Sequence, residues 1–251
     1  MSNNNSNNQY AYKATPATFY GAGVGPGDPL LLTLKTHQLI QSADVISYIG
    51  NTDGHSQARE IAGHSIETRT SAAEEVMVKM PMSTNRSLAN QAYDEAAMLL
   101  RQHLAAGKSV VFLCEGDPLF FGSFSYLLQR LGGDFACQVV PGITSVNAAA
   151  ATLQQPLTLL QESFAVVSGR HTDQQIEQTL AQHDSVVIMK AGQARPRILA
   201  LLRQTGRWQD GHYLEYIGRD QQRLVSNLDD LEDQAGPYFS LFVIVRQERP
   251  A

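Results

Sequence analysis

The sequence has little of what disulfide-stapled, metal-binding or membrane-spanning proteins depend on. Cysteine occurs twice in 251 residues, too rarely for a disulfide framework. Both thiols, Cys114 and Cys137, sit in strand-like apolar runs, VVFLC and FACQVV, where a free cysteine reads as a small buried hydrophobe. No His/Cys/Asp/Glu grouping has metal-ligand spacing, so no metal site is expected. No apolar stretch approaches the ~18 residues of a membrane span, and the amino-terminal stretch has no basic segment followed by an apolar one. The expectation is a cytoplasmic protein without a membrane partner. Positive charge is scarce as well: 19 Lys and Arg stand against 24 Asp and Glu, a formal net charge of -5. That balance argues against a nucleic-acid partner, which would demand a phosphate-neutralising surface. A few local cations would still serve an acidic small molecule.

Apolar residues make up 43% of the chain, enough for one large core or two modest ones. Residues 1–16 are rich in Asn and Ser and read as a disordered leader. From Ala17 onward, short β-branched or aromatic runs alternate with helical patterns, the rhythm of a parallel α/β sheet. Strands are expected at 18–20 and 45–48 around a helix at 31–42. A long helix follows at 88–106, with Leu88, Ala92, Ala96, Leu99 and His103 on one face and Gly107 as its stop. The run 109–114 is apolar throughout, as suits a central strand buried on both faces. A loop at 115–122, a helix at 123–131, a strand at 136–140 and a small-residue helix at 144–152 complete this half.

Pro156 interrupts the pattern and separates two expected domains, 17–154 and 160–251. In the second, strands at 164–168, 185–189, 213–217 and 239–245 alternate with helices at 173–182, 196–204 and 227–234. A short edge at 224–226 makes a mixed sheet the expectation. The fold class is therefore α/β, with a parallel sheet in the amino-terminal domain and a mixed one in the carboxy-terminal domain.

Three strand-to-helix turns carry the chemistry. The first, Gly21-Ala22-Gly23-Val24-Gly25-Pro26-Gly27-Asp28-Pro29, lets a ligand approach the backbone. It fails the dinucleotide fingerprint G-x-G-x-x-G, because Pro26 or Asp28 falls where the last glycine is needed. Asp28 followed by Pro29 also reads as a simple helix cap. The second, Glu115-Gly116-Asp117-Pro118-Leu119-Phe120-Phe121-Gly122, follows the most apolar strand; in a parallel sheet it faces the same crevice as the first. The third, Val140-Pro141-Gly142-Ile143-Thr144-Ser145, opens a helix at which Thr144 could act merely as the cap.

In order and spacing, GAGVGPGDPLLLTLK, GDPLFFGSF, VPGITS and then VVIMKAG closely resemble the motifs of the tetrapyrrole methylases, over residues 19–245. The resemblance implies two α/β domains holding S-adenosylmethionine in the cleft between them, usually in a homodimer. Matching positions imply cofactor binding by Pro26, Glu115, Gly116, Asp117, Phe120, Thr144, Ser145, Met189 and Ile217. Taken alone, Met189 reads more readily as core. Gly23, Gly25, Gly27 and Asp28 would face the tetrapyrrole. Arg86 would meet its carboxylates, with Lys35, Arg59 and Lys79 as further cations. The stretch Met80–Arg86 and the CEGDPLFFGSF context resemble the branch that methylates precorrin-2 at C20, of the metal-free rather than the cobalt-containing kind. Asp28 and Glu115 are candidates for a proton acceptor, and no catalytic base is assigned. His37 and His103 read as core or surface histidines. Another precorrin or uroporphyrinogen methylase, or a non-catalytic binding protein of the same fold, remains an alternative.

Overall fold

The computed structural model describes residues 11–80 and 86–247. The chain divides into two compact units, the first ending at Thr144 and the second beginning at Ser145. This division falls ahead of the expected 154–160 interval, so the helix after the third turn groups with the second unit.

The first unit contains β1 (Thr18–Gly23), α1 (Leu34–Ser42), β2 (Val45–Gly50), α2 (Gln57–Ile61), α3 (Gly63–Glu67), β3 (Glu74–Lys79), α4 (Arg86–Ala105), β4 (Val110–Cys114), α5 (Phe124–Leu131) and β5 (Ala136–Val140). Its sheet runs β3-β2-β4-β1-β5, with every pairing parallel. Alternate residues of each strand serve opposite faces. Phe19, Val110 and Phe112 meet Leu100 and Leu104 of α4 and Phe124 and Leu127 of α5. Tyr20, Val111 and Leu113 meet Leu39 and Ile40 of α1 and Ile61 of α2. Burial on both faces is why β4 reads as an unbroken apolar run. Fully burying each of these large side chains stabilises the unit by roughly 1.5–3 kcal/mol.

The path through this sheet sets the site. From β1 the chain crosses by α1 to β2, and from β4, the neighbour of β1, it crosses by α5 to β5 on the opposite side. Between β1 and β4 the direction of winding reverses, and ligands of open parallel sheets bind beyond the carboxyl ends of strands at such a point.

Local differences from expectation have physical causes. Asp28 caps a 3-10 turn at Pro29–Leu31, its side chain accepting from the Leu30 amide, and Thr33 caps α1 by accepting from Thr36. The helix therefore starts at Leu34 instead of 31. The buried stripe of α4 is Tyr93, Ala96, Ala97, Leu100 and Leu104. Leu88 and Leu99 of the expected stripe are 46% and 41% exposed, because the face bearing the bulkier Tyr93 and Leu100 wins the core. Residues 1–10 of the expected leader lie outside the described residues. Part of the rest is tied down: the Tyr12 hydroxyl donates to Gln138 at 2.6 Å, the Ala14 amide donates to Ser42, and the Thr15 amide donates to the Tyr20 hydroxyl.

The second unit holds α6 (Ser145–Leu153), β6 (Phe164–Ser168), α7 (Asp173–Gln182), β7 (Ser185–Met189), α8 (Arg195–Gln204), β8 (Gly211–Glu215), β9 (Arg223–Val225) and β10 (Ser240–Val245). Its sheet, β6-β7-β10-β8-β9, is mixed. β6 and β7 are parallel, while β10 runs antiparallel to both β7 and β8, and β9 antiparallel to β8. Ile176 and Leu180 of α7 and Ile198 and Leu202 of α8 pack with Val186, Ile188, Tyr213 and Phe242 into one core. The helix expected at 227–234 is a 3-10 turn, Leu228–Asp230. The Asn227 side chain accepts from the Asp229 amide at 3.1 Å, which closes a local turn that competes with helix propagation.

Both units use the same clasp where adjacent parallel strands begin. Asp44, between α1 and β2, accepts from the Ser109 amide at 2.8 Å and hydroxyl at 2.7 Å. Asp184, between α7 and β7, accepts from the Ser163 amide at 2.8 Å and hydroxyl at 2.9 Å. In both cases the serine hydroxyl also receives the aspartate's own amide.

Candidate active site

The carboxyl ends of β4, β1 and β5 lie side by side, with Gly23 opposite Cys114 and Ala22 opposite Val140. Their three turns therefore emerge together, and the glycines let the backbones touch. A Cβ on Gly23 would stand 2.5 Å from the Gly116 carbonyl oxygen and 2.6 Å from the Gly142 Cα. A Cβ on Gly142 would stand 2.8 Å from the Gly23 Cα and nearer still to that same carbonyl oxygen. Real Cβ atoms do not come so close to backbone. Gly25 and Gly116 form an isolated bridge, the Gly116 amide donating to the Gly25 carbonyl at 2.8 Å. Val24 donates to Cys114 at 2.9 Å, and the Thr36 hydroxyl donates to the buried Gly23 carbonyl at 3.1 Å.

Asp117 ties the second turn to the third. One carboxylate oxygen accepts from the Leu119 amide at 2.9 Å, and the other from the Gly142 amide at 3.0 Å. Glu115, directly after β4, is exposed. Phe120, half-buried, stacks edge-to-face on Phe121 at 5.2 Å. Thr144 and Ser145 are half-buried, while Pro26, Gly25 and Gly27 are buried in the first turn. Asp28 is half-buried, with one oxygen committed to the Leu30 amide at 2.8 Å.

Among the sequence-nominated cations, Arg59 is engaged by Glu75 at 3.0 Å, and Lys35 lies 4.3 Å over the Tyr12 ring. Lys79 is exposed at the carboxyl end of β3, the edge of the sheet that carries the three turns. Arg86 opens α4, but its side chain lies outside what is described, as do residues 81–85 of the Met80–Arg86 stretch. His37 bonds Ser65 at 2.9 Å, and His103 stands 3.6 Å from Glu74. Burial pushes the Cys114 thiol well above its ordinary range, which makes it an inert core residue.

In the second unit, β7 and β8 run in the same direction on either side of β10, so Met189 and the segment after Glu215 share one edge of the sheet. The Met189 carbonyl accepts from Gly169 at 2.7 Å. Ile217, expected as the last residue of a strand, lies two residues beyond β8 and is 6% exposed. It is flanked by Tyr216 at φ 50° and Gly218 at φ 76°. Sequence reasoning gave no role to Arg195. Its buried guanidinium meets Glu215 at 3.3 Å and donates to the carbonyls of Gln234 and Ala235. This holds the chain at Gly236, whose amide donates to Gly192 at 2.9 Å.

Two surface clefts, of about 300 Å³ near Arg69 and Glu75 and about 580 Å³ near Arg207 and Asp210, contain none of the nominated residues. The motifs lie elsewhere. No group of three potential metal ligands occurs among the described residues. No helix there is long and apolar enough to cross a membrane.

A parallel sheet whose winding reverses above three interlocked glycine turns, followed by a mixed α/β unit, defines a class. The profile of the tetrapyrrole (corrin/porphyrin) methylases matches residues 18–232, and the chain belongs to that family. It is 34% identical over 242 residues to the cobalamin biosynthesis protein CobIJ of Mycobacterium tuberculosis, which takes in 93% of this chain and 47% of that protein. The chain thus spans about half the length of that relative. It is 31% identical to the precorrin-2 C(20)-methyltransferase of a Sinorhizobium species, over 89% of this chain and 93% of the other. To the cobalt-precorrin-2 C(20)-methyltransferase of Salmonella typhimurium it is 32% identical, over 91% and 96%. Among solved structures, the uroporphyrin-III C-methyltransferase of Thermus thermophilus, complexed with S-adenosylhomocysteine, is similar with a TM-score of 0.66 and 25% identity, covering 91% of this chain and 97% of that one. The cobalt precorrin-4 methyltransferase CbiF shares the fold, with a TM-score of 0.69.

Proposed function

We propose that this protein is an S-adenosylmethionine-dependent C-methyltransferase that methylates precorrin-2 at C20 in cobalamin biosynthesis, acting in the cytoplasm as a homodimer. The observation that carries the reading is the interlocking of the Gly23, Gly116 and Gly142 backbones at the point where the sheet reverses its winding. These turns belong to the family's motifs, and two relatives that match 89% and 91% of this chain bear the C20 names. The domains in this reading are a tetrapyrrole-facing amino-terminal half and a carboxy-terminal half that completes the cofactor site.

The donor set suits the methionine part of the cofactor. Exposed Glu115 offers a carboxylate to an ammonium, and Thr144 and Ser145 offer hydroxyls and amides to a carboxylate. Pro26, Gly116 and Phe120 shape the backbone and apolar wall around it. Met189 and Ile217 are assigned to the adenosine part, Met189 as a soft, adaptable packing surface. When bound, the cofactor supplies a sulfonium methyl to the electron-rich C20 carbon. The protein's own contribution is chiefly proximity and orientation. Gly23, Gly25, Gly27 and Asp28 face the tetrapyrrole, with Arg86 and Lys79 on its carboxylates. Asp28 and Glu115 are the candidates to receive the C20 proton.

The cobalt-containing substrate is the second reading, favoured by the Salmonella relative. Calorimetry with S-adenosylhomocysteine and with NAD+, together with transfer of a labelled methyl to metal-free and cobalt-containing precorrin-2, tests the proposal. Binding of the first ligand alone and labelling of precorrin-2 are expected. Binding of S-adenosylhomocysteine without turnover on either substrate would point to a non-catalytic binding protein instead.

A further inference from the structure

We infer that Asp117 is a positioning residue: its carboxylate does not meet the cofactor but latches the third turn against the second. The inference rests on the proposed cofactor site and assigns a different task to one of its residues. A loop carboxylate beside a methionine-type ligand invites pairing with the ammonium. Here, however, each oxygen of Asp117 already receives a backbone amide, Leu119 at 2.9 Å and Gly142 at 3.0 Å. The second bond spans 25 residues and joins turns from two strands that are not neighbours, since β1 lies between β4 and β5. Around it the geometry is tight. The Gly116 carbonyl fills the space beside Gly23 and Gly142, where a Cβ on either residue would collide with it. Pro118 is buried and Gly122 folds back on the Pro118 carbonyl, so the latch cannot swing as a free side chain would. The carboxylate assigned to the ammonium is then Glu115, exposed two residues earlier in the same turn. Asp117 fixes where the Gly142–Thr144 backbone presents its groups.

Asp117→Asn is nearly isosteric and turns one of the two acceptors into a donor, so it keeps one amide bond and breaks the other. Losing a hydrogen bond to a charged group corresponds to about tenfold or more in affinity. The probes are S-adenosylhomocysteine and its analogue lacking the amino group, measured by calorimetry on the full chain. The latch predicts that Asp117→Asn weakens both ligands by the same factor, while Glu115→Gln weakens only the amine-bearing one. It also predicts a raised KM for the methyl donor with kcat retained at saturation, since the loss is one of ground-state binding. Hydrogen exchange at the Gly142 amide should accelerate in Asp117→Asn, and Asp117→Ala should match or exceed it on every readout. A loss in Asp117→Asn that vanishes with the desamino ligand overturns the inference in favour of direct pairing. A fall in kcat with unchanged KM and a slow Gly142 amide overturns it too. If the wild-type protein binds neither ligand, the cofactor site itself is wrong and the latch has no such function.

Discussion

Glycine at positions 23 and 142 sets how closely the ends of three strands approach, while Gly116 takes a positive φ of 65° to aim its carbonyl between them. Gly142→Ala would drive a methyl into the Gly116 carbonyl and the Gly23 Cα, both of them backbone that cannot rotate away. A destabilisation of about 1–3 kcal/mol is expected for such overpacking, read by urea unfolding, together with loss of S-adenosylhomocysteine binding. Arg86→Ala should raise the KM for precorrin-2 and leave cofactor affinity alone; an unchanged KM removes Arg86 from the substrate site. Cys114, buried in β4 with its thiol pushed up by desolvation, should resist alkylation until the protein unfolds. Mass spectrometry of the native protein after reagent treatment reads this directly. The three turns themselves were legible because each joins a strand to a helix or helical turn. The task of Asp117 was not, because the bond from Gly142 depends on strand order, and no local pattern encodes that order.

At the scale of elements, the Asp–Ser clasp recurs where a helix feeds a strand beside the start of a parallel neighbour. Bonds from the Ser109 hydroxyl and amide, aided by Lys108 and Arg69, hold the Asp44 carboxyl below its ordinary value of 3.8. Because the folded state holds this proton more weakly than the unfolded state, the clasp contributes stability above that value. The contribution is lost as pH falls through the lower folded value. Asp44→Asn should therefore be less stable at neutral pH and lose less on acidification. Urea midpoints compared between about pH 6 and pH 3 check this, and parallel curves would remove the carboxylate from the account. Apolar runs such as 110–114 and 185–189 announced their strands. β3 went unread because, at the sheet edge, its apolar Val76, Met77 and Val78 are flanked by Glu74, Glu75 and Lys79. β8 ends at Glu215, two residues early, because Tyr216 and Gly218 take positive φ and turn the chain away from the ladder.

For the whole molecule, the decisive feature is topological: β1 and its neighbour β4 feed crossovers to opposite sides, and the family's motifs lie at that reversal. The alternation of strand and helix made the parallel first sheet and the mixed second sheet readable from sequence. The division of units at Thr144 was less so, because a short linker with Pro156 marks a break in pattern and says nothing of which helix packs with which sheet. Fold alone leaves many chemistries open, so the choice of C20 rests on the motif context and on relatives of matching length. The most direct test is product regiochemistry. Incubating the purified protein with precorrin-2 and S-adenosylmethionine carrying a carbon-13 methyl should give one new enriched methyl resonance, coupled to C20. Enrichment at any other carbon, or none with either the metal-free or the cobalt-containing substrate, would contradict the assignment.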